Sequence, residues 1–584
     1  MKTRIIILLA IAVIISSCED ILTPIDENNR NLTDIYNDAA FAEGLLLNGY
    51  TRLPSDGYSF NDVATDDAVT NSGDNAYLLM ATGKWSAMNN PMDEWNRSFA
   101  AIQYLNILLE QADNVDWANT GIYTEEMFND RIKGETYALR GLFMFYLLQA
   151  HAGYTASGEL LGVPIYTESL KANSNFSQPR ATFDECIQQI LSDYDKAESY
   201  LPLDYEDVSN LSEIPEKYAG LTTVSDYNRV FGAYNHQRVS SRIVKGLRAQ
   251  VALLAASPAF NEGSSITWEM AANYAGEVLN LIGGVSGMAP NGGYWYSREN
   301  IDEINALVLG SNPPEMLWRG NKSDNSNLED LIYPPSLYGD GIINPTQNLV
   351  DAFPMANGLP ISAAGSGYDP NNPYNNRDPR LNLYIVVNGS KMGPSNTTIY
   401  TEIGRTTDGL DNIATSTRTG YYMRKLLRED VNLNPTSKTT QNHYVPRIRY
   451  TEMFLAYAEA ANEAWGPDGS GSHGYSARNV IAALRQRAGI EQPDGYLASI
   501  SSKEDMRVLI RNERRVELCF EGFRFWDLRR WKENIKEPAK AMFISTTEFK
   551  IETIENRQYE DYMYYGPLPY SEVLNWGFKQ NAGW

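Results

Sequence analysis

The sequence predicts a mainly α-helical protein: a tetratricopeptide-like helical repeat scaffold with an irregular, loop-rich part and a few short β-strands. Amphipathic segments of about 15–20 residues recur in pairs through the first half of the chain. Residues 283–444 are rich in Gly, Pro, Asn and Asp, and helical periodicity returns from residue 449. No clean repeat of about 34 residues is visible, so the repeat prediction depends on helix pairing alone.

The N-terminus has the pattern of a secretory signal. Lys2 and Arg4 precede eleven apolar residues, 5–15, which are too few to span a bilayer that needs about twenty. Small residues then lead directly to Cys18, as in the signal peptides of bacterial lipoproteins. We expect residues 1–17 to be removed and lipid on Cys18 to anchor the mature chain. An ordinary secretory signal with an incidental Cys is the alternative.

Helical periodicity defines the scaffold on both sides of the loop-rich part. In the first half, apolar residues at helical spacing predict helices over residues 94–113, 127–153, 182–201, 240–257 and 268–282. The third of these begins with Thr182 three residues before Glu185, the spacing of a capping box. In the second half, the pattern predicts helices over residues 449–465 and 475–489. Residues 381–387 (LNLYIVV) resemble a short β-strand.

Residues 515–531 (RVELCFEGFRFWDLRRW) combine acids, bases and Trp at a density that fits either a site or a piece of architecture. On one continuous helix, Glu517, Glu521 and Arg524 fall on a stripe about 60° wide, beside an apolar arc that faces the core. We expect Arg514, Arg524 and neighbouring helices to pair with the two glutamates. Arg neighbours lower a carboxylate pKa, which is the wrong direction for a general acid. The pattern therefore favours structural ion pairs over an acid/base pair.

Composition and motifs argue against several function classes. The net charge is −24, and no long run of Lys or Arg offers a footprint for nucleic acid. The sequence has no H-E-x-x-H, C-x-x-C, G-x-S-x-G or P-loop motif, and its four His are scattered without metal-ligand spacing. We expect no catalytic residue, no metal site and no cofactor. Asp and Glu are abundant, so a hydrolase that uses a carboxylate pair stays open.

Several segments resemble the SusD/RagB family of Bacteroidetes outer-membrane lipoproteins, in the expected order along nearly the whole chain. Residues 511–531 (RNERRVELCFEGFRFWDLRRW) look like the C-terminal signature of that family. The other similar segments are residues 134–166 (GETYALRG to GVPIY), 351–381 (DAFPMANGLPI to NRDPRL), 419–426 (TGYYMRKL), 449–466, 477–490 and 564–584 (ending QNAGW). The resemblance divides the mature chain into an N-terminal SusD-like part, residues 18–225, and a C-terminal RagB/SusD-like part, residues 226–584.

The resemblance implies a binding protein rather than an enzyme. Family members capture oligosaccharide or polysaccharide at the cell surface and hand it to a SusC-like TonB-dependent transporter. It therefore implies an outer-membrane location facing the exterior, an acyl anchor such as palmitate on Cys18, and that transporter as partner. Some members handle other nutrients, so a ligand such as peptide stays open beside the glycan. A purely structural adaptor and, less favoured, a glycoside hydrolase are the remaining alternatives.

Three loops combine aromatic rings with amides or acids, the groups that stack on sugar rings and bind their hydroxyls. The loops carry Trp85 with Asn89 and Asn90, then Tyr294, Trp295 and Tyr296 with Asn291, and finally Tyr333 and Tyr338 with Asp340. The predicted ligand contacts are Trp85, Asn89, Tyr294, Trp295, Tyr296 and Tyr338. The alternative is that Trp85 and Trp295 only close their loops onto the scaffold. Trp318, in a strand, and Trp95, in a helix, are expected to be buried.

Overall fold

A computed structural model describes residues 36–584, except residues 55–56, 119–120, 309 and 546–547. The predicted signal peptide and Cys18 therefore lie outside the described residues. Helices dominate the structure and the strands are short, which confirms the predicted fold class. In the part of the chain that is described, no helix is both long and apolar enough to cross a membrane.

The N-terminal scaffold is a row of helices, each packed against its neighbours. Its helices are α1 (Ala39–Thr51), α2 (Ala76–Leu79), α3 (Trp95–Gln111), α4 (Ile122–His151), α5 (Phe183–Tyr200), α6 (Val224–Phe231), α7 (Ser241–Ala256) and α8 (Trp268–Asn280). Within the row, α1 packs on α3, α3 on α4, α4 on α5, α5 on α7 and α7 on α8. This nearest-neighbour packing is typical of tetratricopeptide-like scaffolds.

The remaining helices belong to the loop-rich part and to the C-terminal scaffold. The loop-rich part contains α9 (Ile301–Asn305), α10 (Asn327–Ile332), α11 (Gln347–Ala352) and α12 (Pro379–Tyr384). The C-terminal scaffold contains α13 (Tyr450–Trp465), α14 (Ala477–Arg487), α15 (Gly495–Ser499), α16 (Lys503–Glu517), α17 (Arg524–Trp531) and α18 (Tyr570–Trp576). Because α13 packs on α8 and also on α14 and α16, it joins the two halves of the scaffold.

The strands pair two by two, and every pair is antiparallel. They are β1 (Ala68–Val69), β2 (Gly153–Tyr154), β3 (Leu160–Leu161), β4 (Met316–Arg319), β5 (Ser323–Asn325), β6 (Asn344–Pro345), β7 (Ile385–Val386), β8 (Lys391–Met392), β9 (Thr397–Thr398), β10 (Tyr422–Met423), β11 (Gln441–His443), β12 (Pro446–Arg449), β13 (Ala539–Ile544) and β14 (Phe549–Glu555). The pairs are β1–β6, β2–β3, β4–β12, β5–β11, β7–β10, β8–β9 and β13–β14. The β4–β12 and β5–β11 pairs follow one another and form a ribbon beside the scaffold.

The predicted helices of the scaffold are confirmed, with ends that shift by a few residues. The capping box at the start of α5 is present: Glu185 N donates to Thr182 Oγ1 at 3.2 Å, and Thr182 N donates to Glu185 Oε2 at 2.8 Å. Trp95 and Trp318 are buried, as expected. One apolar cluster runs along the scaffold, and a second lies beneath the loop-rich part.

The prediction of one continuous helix over residues 515–531 is wrong. α16 ends at Glu517, the backbone turns through left-handed conformations at Phe520 (φ 64°) and Gly522 (φ 83°), and α17 begins at Arg524. Side chains from distant segments satisfy the polar groups at this break. Lys425 Nζ donates to the carbonyls of Glu517 at 2.7 Å and Cys519 at 3.0 Å, and Asn61 and Asp62 bond to the backbone of Gly522 and Phe520.

The predicted strand over residues 381–387 is also wrong for most of its length. Residues up to Tyr384 belong to α12, and only Ile385 and Val386 form a strand. Asp378 caps the helix by accepting from Arg380 N at 2.9 Å, and Pro379 occupies the first turn. These local start signals outweigh the β-branched composition of the run.

Candidate ligand-binding cleft

A cleft of about 430 Å³ opens beside the β5–β11 ribbon, in the loop-rich part of the molecule. The residues that line it come from segments that are far apart in the sequence, near positions 58, 295, 325, 428 and 443. Its buried lining residues are mostly aromatic, and four amide side chains that are exposed or half-buried also line it. This division gives the cleft an apolar surface next to groups that form hydrogen bonds.

The aromatic surface is formed by Tyr58, Phe60, Trp295, Tyr296 and Tyr444. Trp295 stacks on Tyr444, with 5.0 Å between ring centroids and 25° between ring planes, and meets Tyr296 edge-on at 5.4 Å. Burial raises the pKa of the Tyr58 and Tyr296 phenols well above their usual range, so both stay neutral. The rings support one another, which fixes the shape of the surface.

Amide side chains follow the ribbon at the edge of this aromatic surface. Asn321 and Asn327 are exposed, whereas Asn325 and Asn442 are half-buried. In the ribbon, Asn325 lies opposite Gln441 and Asn442 lies opposite Asp324. Asn442 Nδ2 donates to Asn305 Oδ1 at 2.8 Å, which orients this amide at the cleft. Amide donors and acceptors beside rigid rings match what a sugar presents, a C–H face and hydroxyl groups.

Two basic side chains, Arg428 and His443, also line the cleft, and each contacts an acidic side chain that does not line it. Arg428 forms two hydrogen bonds to Asp430, at 3.0 and 2.8 Å, and a third to the carbonyl of Asn442 at 2.8 Å. His443 lies with Nδ1 2.8 Å from the Gln441 carbonyl and Nε2 3.0 Å from Glu329 Oε1. Among the described residues that line the cleft, none is Asp or Glu.

A buried cluster of ion pairs, centred on Glu517 and Glu521, lies behind Tyr58 and Tyr296. Arg449 donates to Glu521 at 2.7 and 2.8 Å and to Glu315 at 2.8 Å. The other ion pairs of this glutamate cluster are Lys425 with Glu521 at 2.6 Å, Arg487 with Glu517 at 2.7 Å and Arg380 with Glu517 at 3.1 Å. The cluster ties α16 to α12, β12 and α14, so it is architecture.

The electrostatics of the glutamate cluster confirm that these carboxylates are structural. Burial alone would raise the pKa of Glu517, but Arg487, Arg380 and Arg449 lower it to about 2. The pKa of Glu521 is likewise lowered, by Arg449 and Lys425, against the effect of burial. Of the predicted partners, the neighbouring helices are confirmed, because Arg380 and Arg487 pair with Glu517. Arg514 and Arg524 are wrong as partners: Arg514 pairs with Asp527 and Arg524 with Asp66.

The structure brings two of the predicted site residues, Trp295 and Tyr296, into the cleft. It places Trp85 elsewhere, 6% exposed and packed against Phe525, Tyr559 and Trp584 with ring centroids 4.8–6.1 Å apart. Its indole Nε1 donates to Asn90 Oδ1 at 2.9 Å. Trp85 lies outside the cleft lining, so the geometry favours the alternative that it closes its loop onto the scaffold. Trp295 is equally buried, at 3% exposed, and differs from Trp85 because it lines the cleft.

The other three predicted residues lie outside the cleft lining. Asn89 is exposed and donates to the Lys84 carbonyl at 3.0 Å, a bond that shapes its own turn. Tyr294 is half-buried, and its carbonyl accepts from Asn300 Nδ2 at 2.7 Å. Tyr338 is 56% exposed at the end of a short turn. Ligand contact at these positions stays a prediction.

The structure adds cleft residues that the sequence did not indicate, among them Tyr58, Tyr444, Asn321, Asn325 and Asn442. A signal was present in the segment QNHYV, where Asn442 and Tyr444 alternate with His443 as in a strand. Tyr58 offered no comparable signal, because only the fold brings it next to Trp295. Local composition therefore identified Trp295 and Tyr296 and missed the other residues that line the cleft.

The fold and the cleft together define a helical-repeat protein with an aromatic cleft beside a row of amides, which is a candidate binding site. Comparison with protein families gives the group to which it belongs. The model of the SusD family matches residues 307–584, and a SusD-like model described as "Starch-binding associating with outer membrane" matches residues 31–227. The chain belongs to the SusD/RagB family, as the sequence motifs predicted.

Individual relatives are distant in sequence and similar in fold. The chain is 22% identical to SusD-like protein P38 of Formosa agariphila over 449 residues, which cover 76% of this chain and 73% of that protein. A SusD-like protein of Bacteroides fragilis superposes with a TM-score of 0.69 at 22% identity, covering 96% of this chain and 100% of that one. A SusD-like carbohydrate-binding protein of the same species gives 0.66 at 20% identity, covering 92% and 98%.

Proposed function

We propose that this protein binds an oligosaccharide or polysaccharide in the cleft and delivers it to a SusC-like TonB-dependent transporter. In this proposal, lipid on Cys18 anchors the protein to the outer membrane, facing the exterior. The description of the family model that matches residues 31–227, which names starch binding and the outer membrane, supports both the ligand class and the location.

The observation that supports glycan binding most strongly is the stacked pair Trp295–Tyr444 beside the amides of the ribbon. A pyranose ring has a C–H face that packs on aromatic rings, and each hydroxyl group needs a donor or an acceptor. Asn321, Asn325 and Asn442 supply such groups within the same cleft. Because the aromatic side chains are already buried and mutually packed, little side-chain entropy is lost when a ligand binds.

The lining of the cleft argues against a hydrolase. Glycoside hydrolysis in most families requires two carboxyl groups that flank the scissile bond. In the described part of the chain, no Asp or Glu lines the cleft, and Glu329 and Asp430 are paired with the lining residues His443 and Arg428. The glutamates of the buried cluster are ionised and enclosed.

The ligand class is tested by titrating the soluble chain that begins after Cys18 with neutral polysaccharides, acidic polysaccharides and peptides. Isothermal titration calorimetry measures binding, and product analysis of the same mixtures measures turnover. We expect binding of at least one glycan and release of no product. Binding of peptides alone would contradict the glycan proposal, and release of shortened sugars would favour the hydrolase.

The position of the site is tested with the double variant Asn321→Ala/Asn442→Ala and the matched control Asn89→Ala. Loss of two hydrogen bonds to sugar hydroxyls should weaken glycan binding about 10-fold or more, since each contributes roughly 0.5–1.5 kcal/mol. The control removes an exposed amide of the first predicted loop and should leave the affinity unchanged. If only the control weakens binding, the ligand sits at the loop of Trp85 and not in the cleft.

The partner and the anchor are tested in cells. Cys18→Ser should release the protein from the outer membrane fraction, because the side chain that receives the lipid is missing. Affinity purification of the wild-type chain from detergent-solubilised outer membranes should recover a TonB-dependent transporter. Recovery of the transporter by a chain that binds no small ligand at all would favour a structural adaptor.

A further inference from the structure

A second cleft, of about 310 Å³, lies between α3, the loop before α5 and the C-terminal helix α18. It shares no lining residue with the glycan cleft. Two of its aromatic side chains, Trp576 and Phe176, are 42% and 37% exposed, which is unusual for rings of this size. We call it the α18 cleft.

The α18 cleft is an aromatic box. Trp95 and Phe578 are buried at 5.7 Å from each other, and Phe99 meets Tyr166 edge-on, also at 5.7 Å. Trp576 stacks on Phe176, with 5.7 Å between centroids and 30° between planes. The box therefore presents π-surfaces from three separate segments of the chain.

The loop that contributes Tyr166 and Phe176 is held in place by amides of α3. Gln103 forms two hydrogen bonds to the backbone of Leu170, at 3.0 and 2.8 Å. Asn106 donates to the carbonyls of Tyr166 and Glu168, both at 3.0 Å. These bonds preorganise the box, and they also occupy the buried amide groups that would otherwise bind a ligand.

The charge at the α18 cleft comes from one carboxylate. Among the described residues that line it, Glu572 is charged and none is Lys, Arg or His. Glu572 takes part in no ion pair of the described chain, and the one hydrogen bond of its carboxylate comes from Ser571 Oγ at 3.5 Å. Glu572 lies in the first turn of α18.

We propose that the α18 cleft binds a small organic cation, with an alkylammonium group against the aromatic rings and Glu572 as its counter-ion. Ammonium groups are attracted to the faces of Trp, Tyr and Phe, and aromatic boxes recognise quaternary ammonium ions in this way. A sugar fits less well, because it needs several free hydrogen-bonding groups and the buried amides are already engaged. This site is independent of glycan binding.

The chemistry is tested by titrating the soluble chain with choline and with its neutral isostere 3,3-dimethylbutan-1-ol, monitored by calorimetry and ligand-detected NMR. Choline should bind about 10-fold more tightly than the isostere, because only the cation gains the cation–π and Glu572 interactions. Glucosamine and glucose form a second pair, which distinguishes a primary amine on a sugar from a quaternary ammonium solute. Equal binding within both pairs, or no binding of either cation, would overturn the proposal.

The position is tested with Glu572→Gln, which keeps the shape of the side chain, and with Trp576→Ala. Each should weaken cation binding by about 5-fold or more, while glycan affinity stays at the wild-type value. Glu299→Gln, an exposed acid elsewhere, is the matched control for charge and should change neither. Undiminished choline binding by both cleft variants, or stronger binding of glucose than of glucosamine, would exclude this site for cations.

Discussion

The glutamate cluster and the proposed glycan cleft are neighbours, yet they use polar groups in opposite ways. In the cluster, Arg449 is enclosed with its partners and pairs with Glu521 at 2.7 Å and with Glu517 at 3.9 Å. In the cleft, the amides of Asn321 and Asn327 are open to solvent beside packed rings. Acids and bases that are buried and paired with one another cannot bind a ligand. Polar groups that remain accessible can bind one, and this difference separates a structural cluster from a candidate site.

The largest effect should come from breaking the glutamate cluster. Arg449→Met leaves Glu521 and Glu315 buried without their guanidinium partner, so we expect a loss of about 3–5 kcal/mol in the free energy of unfolding. Urea denaturation measures it. Arg405→Met, which removes the solvent-screened pair with Glu402, is the control and should lower stability far less. Equal losses of stability in the two variants would show that burial does not increase the contribution of the ion pairs in the cluster.

The next effect concerns Asp62, a buried acid beside the cluster whose Oδ2 has no hydrogen-bond partner. Burial, then Asp67, raises its pKa from 3.8 to about 7, against the effect of Lys425 and of the Phe520 N–H. Between pH 3.8 and about 7, Asp62 keeps its proton in the folded chain and has lost it in the unfolded chain. Stability should therefore fall as pH rises through this window, by at most about 1.4 kcal/mol per pH unit.

Asp62→Asn removes this proton linkage, so the variant should show a flatter stability profile between pH 4 and 7 and greater stability than wild type at pH 8. Urea midpoints across that range measure the effect. The pKa of Glu517 is shifted the other way, so its contribution is present above pH 4.5 and is lost as pH falls toward 2. This loss of stability at low pH should persist in Asp62→Asn. An unchanged profile above pH 4 would mean that Asp62 is ionised in the folded protein.

A smaller effect should distinguish Trp85 from Trp295, both of which the sequence predicted as ligand contacts. Trp85→Phe loses the hydrogen bond to Asn90 and some packing, and Trp295→Phe loses part of the stack on Tyr444. Each should cost about 1–2 kcal/mol in stability. Only Trp295→Phe should lower glycan affinity, by several-fold, as measured by calorimetry. A loss of affinity in Trp85→Phe alone would move the site to the first predicted loop.

The smallest effect is expected at Tyr338. Its ring is 56% exposed and lies outside the cleft lining, so Tyr338→Ala should change stability by no more than about 0.5 kcal/mol. Glycan affinity should equal that of the wild type in the same titration. A clear loss of affinity would show that the ligand extends beyond the cleft to the third predicted loop.

Much of the scaffold was predictable because its signals are local. The Thr182–Glu185 capping box and the periodicities of α3, α4, α5, α7 and α8 each lie within one helix, so a window of the sequence contains all the information. The candidate site was predictable only where its residues are adjacent, as Trp295 and Tyr296 are. Tyr58 and Tyr444 lie more than a hundred residues from them in the sequence, which no local window contains.

The sequence by itself determined the helical class and the family motifs. It also predicted that Glu517 and Glu521 are structural, because Arg residues are abundant around them, but the assumed spacing on one helix named Arg514 and Arg524 wrongly as partners. Only the tertiary structure decided where the segment 515–531 breaks. The side chains of Lys425, Asn61 and Asp62 form hydrogen bonds to the backbone there, and only the fold brings them next to the break. It also decided that Trp85 is packed while Trp295 lines a cleft. Both rings are buried, at 6% and 3% exposed, so the difference between them is which residues surround each ring, and most of those residues come from distant parts of the chain.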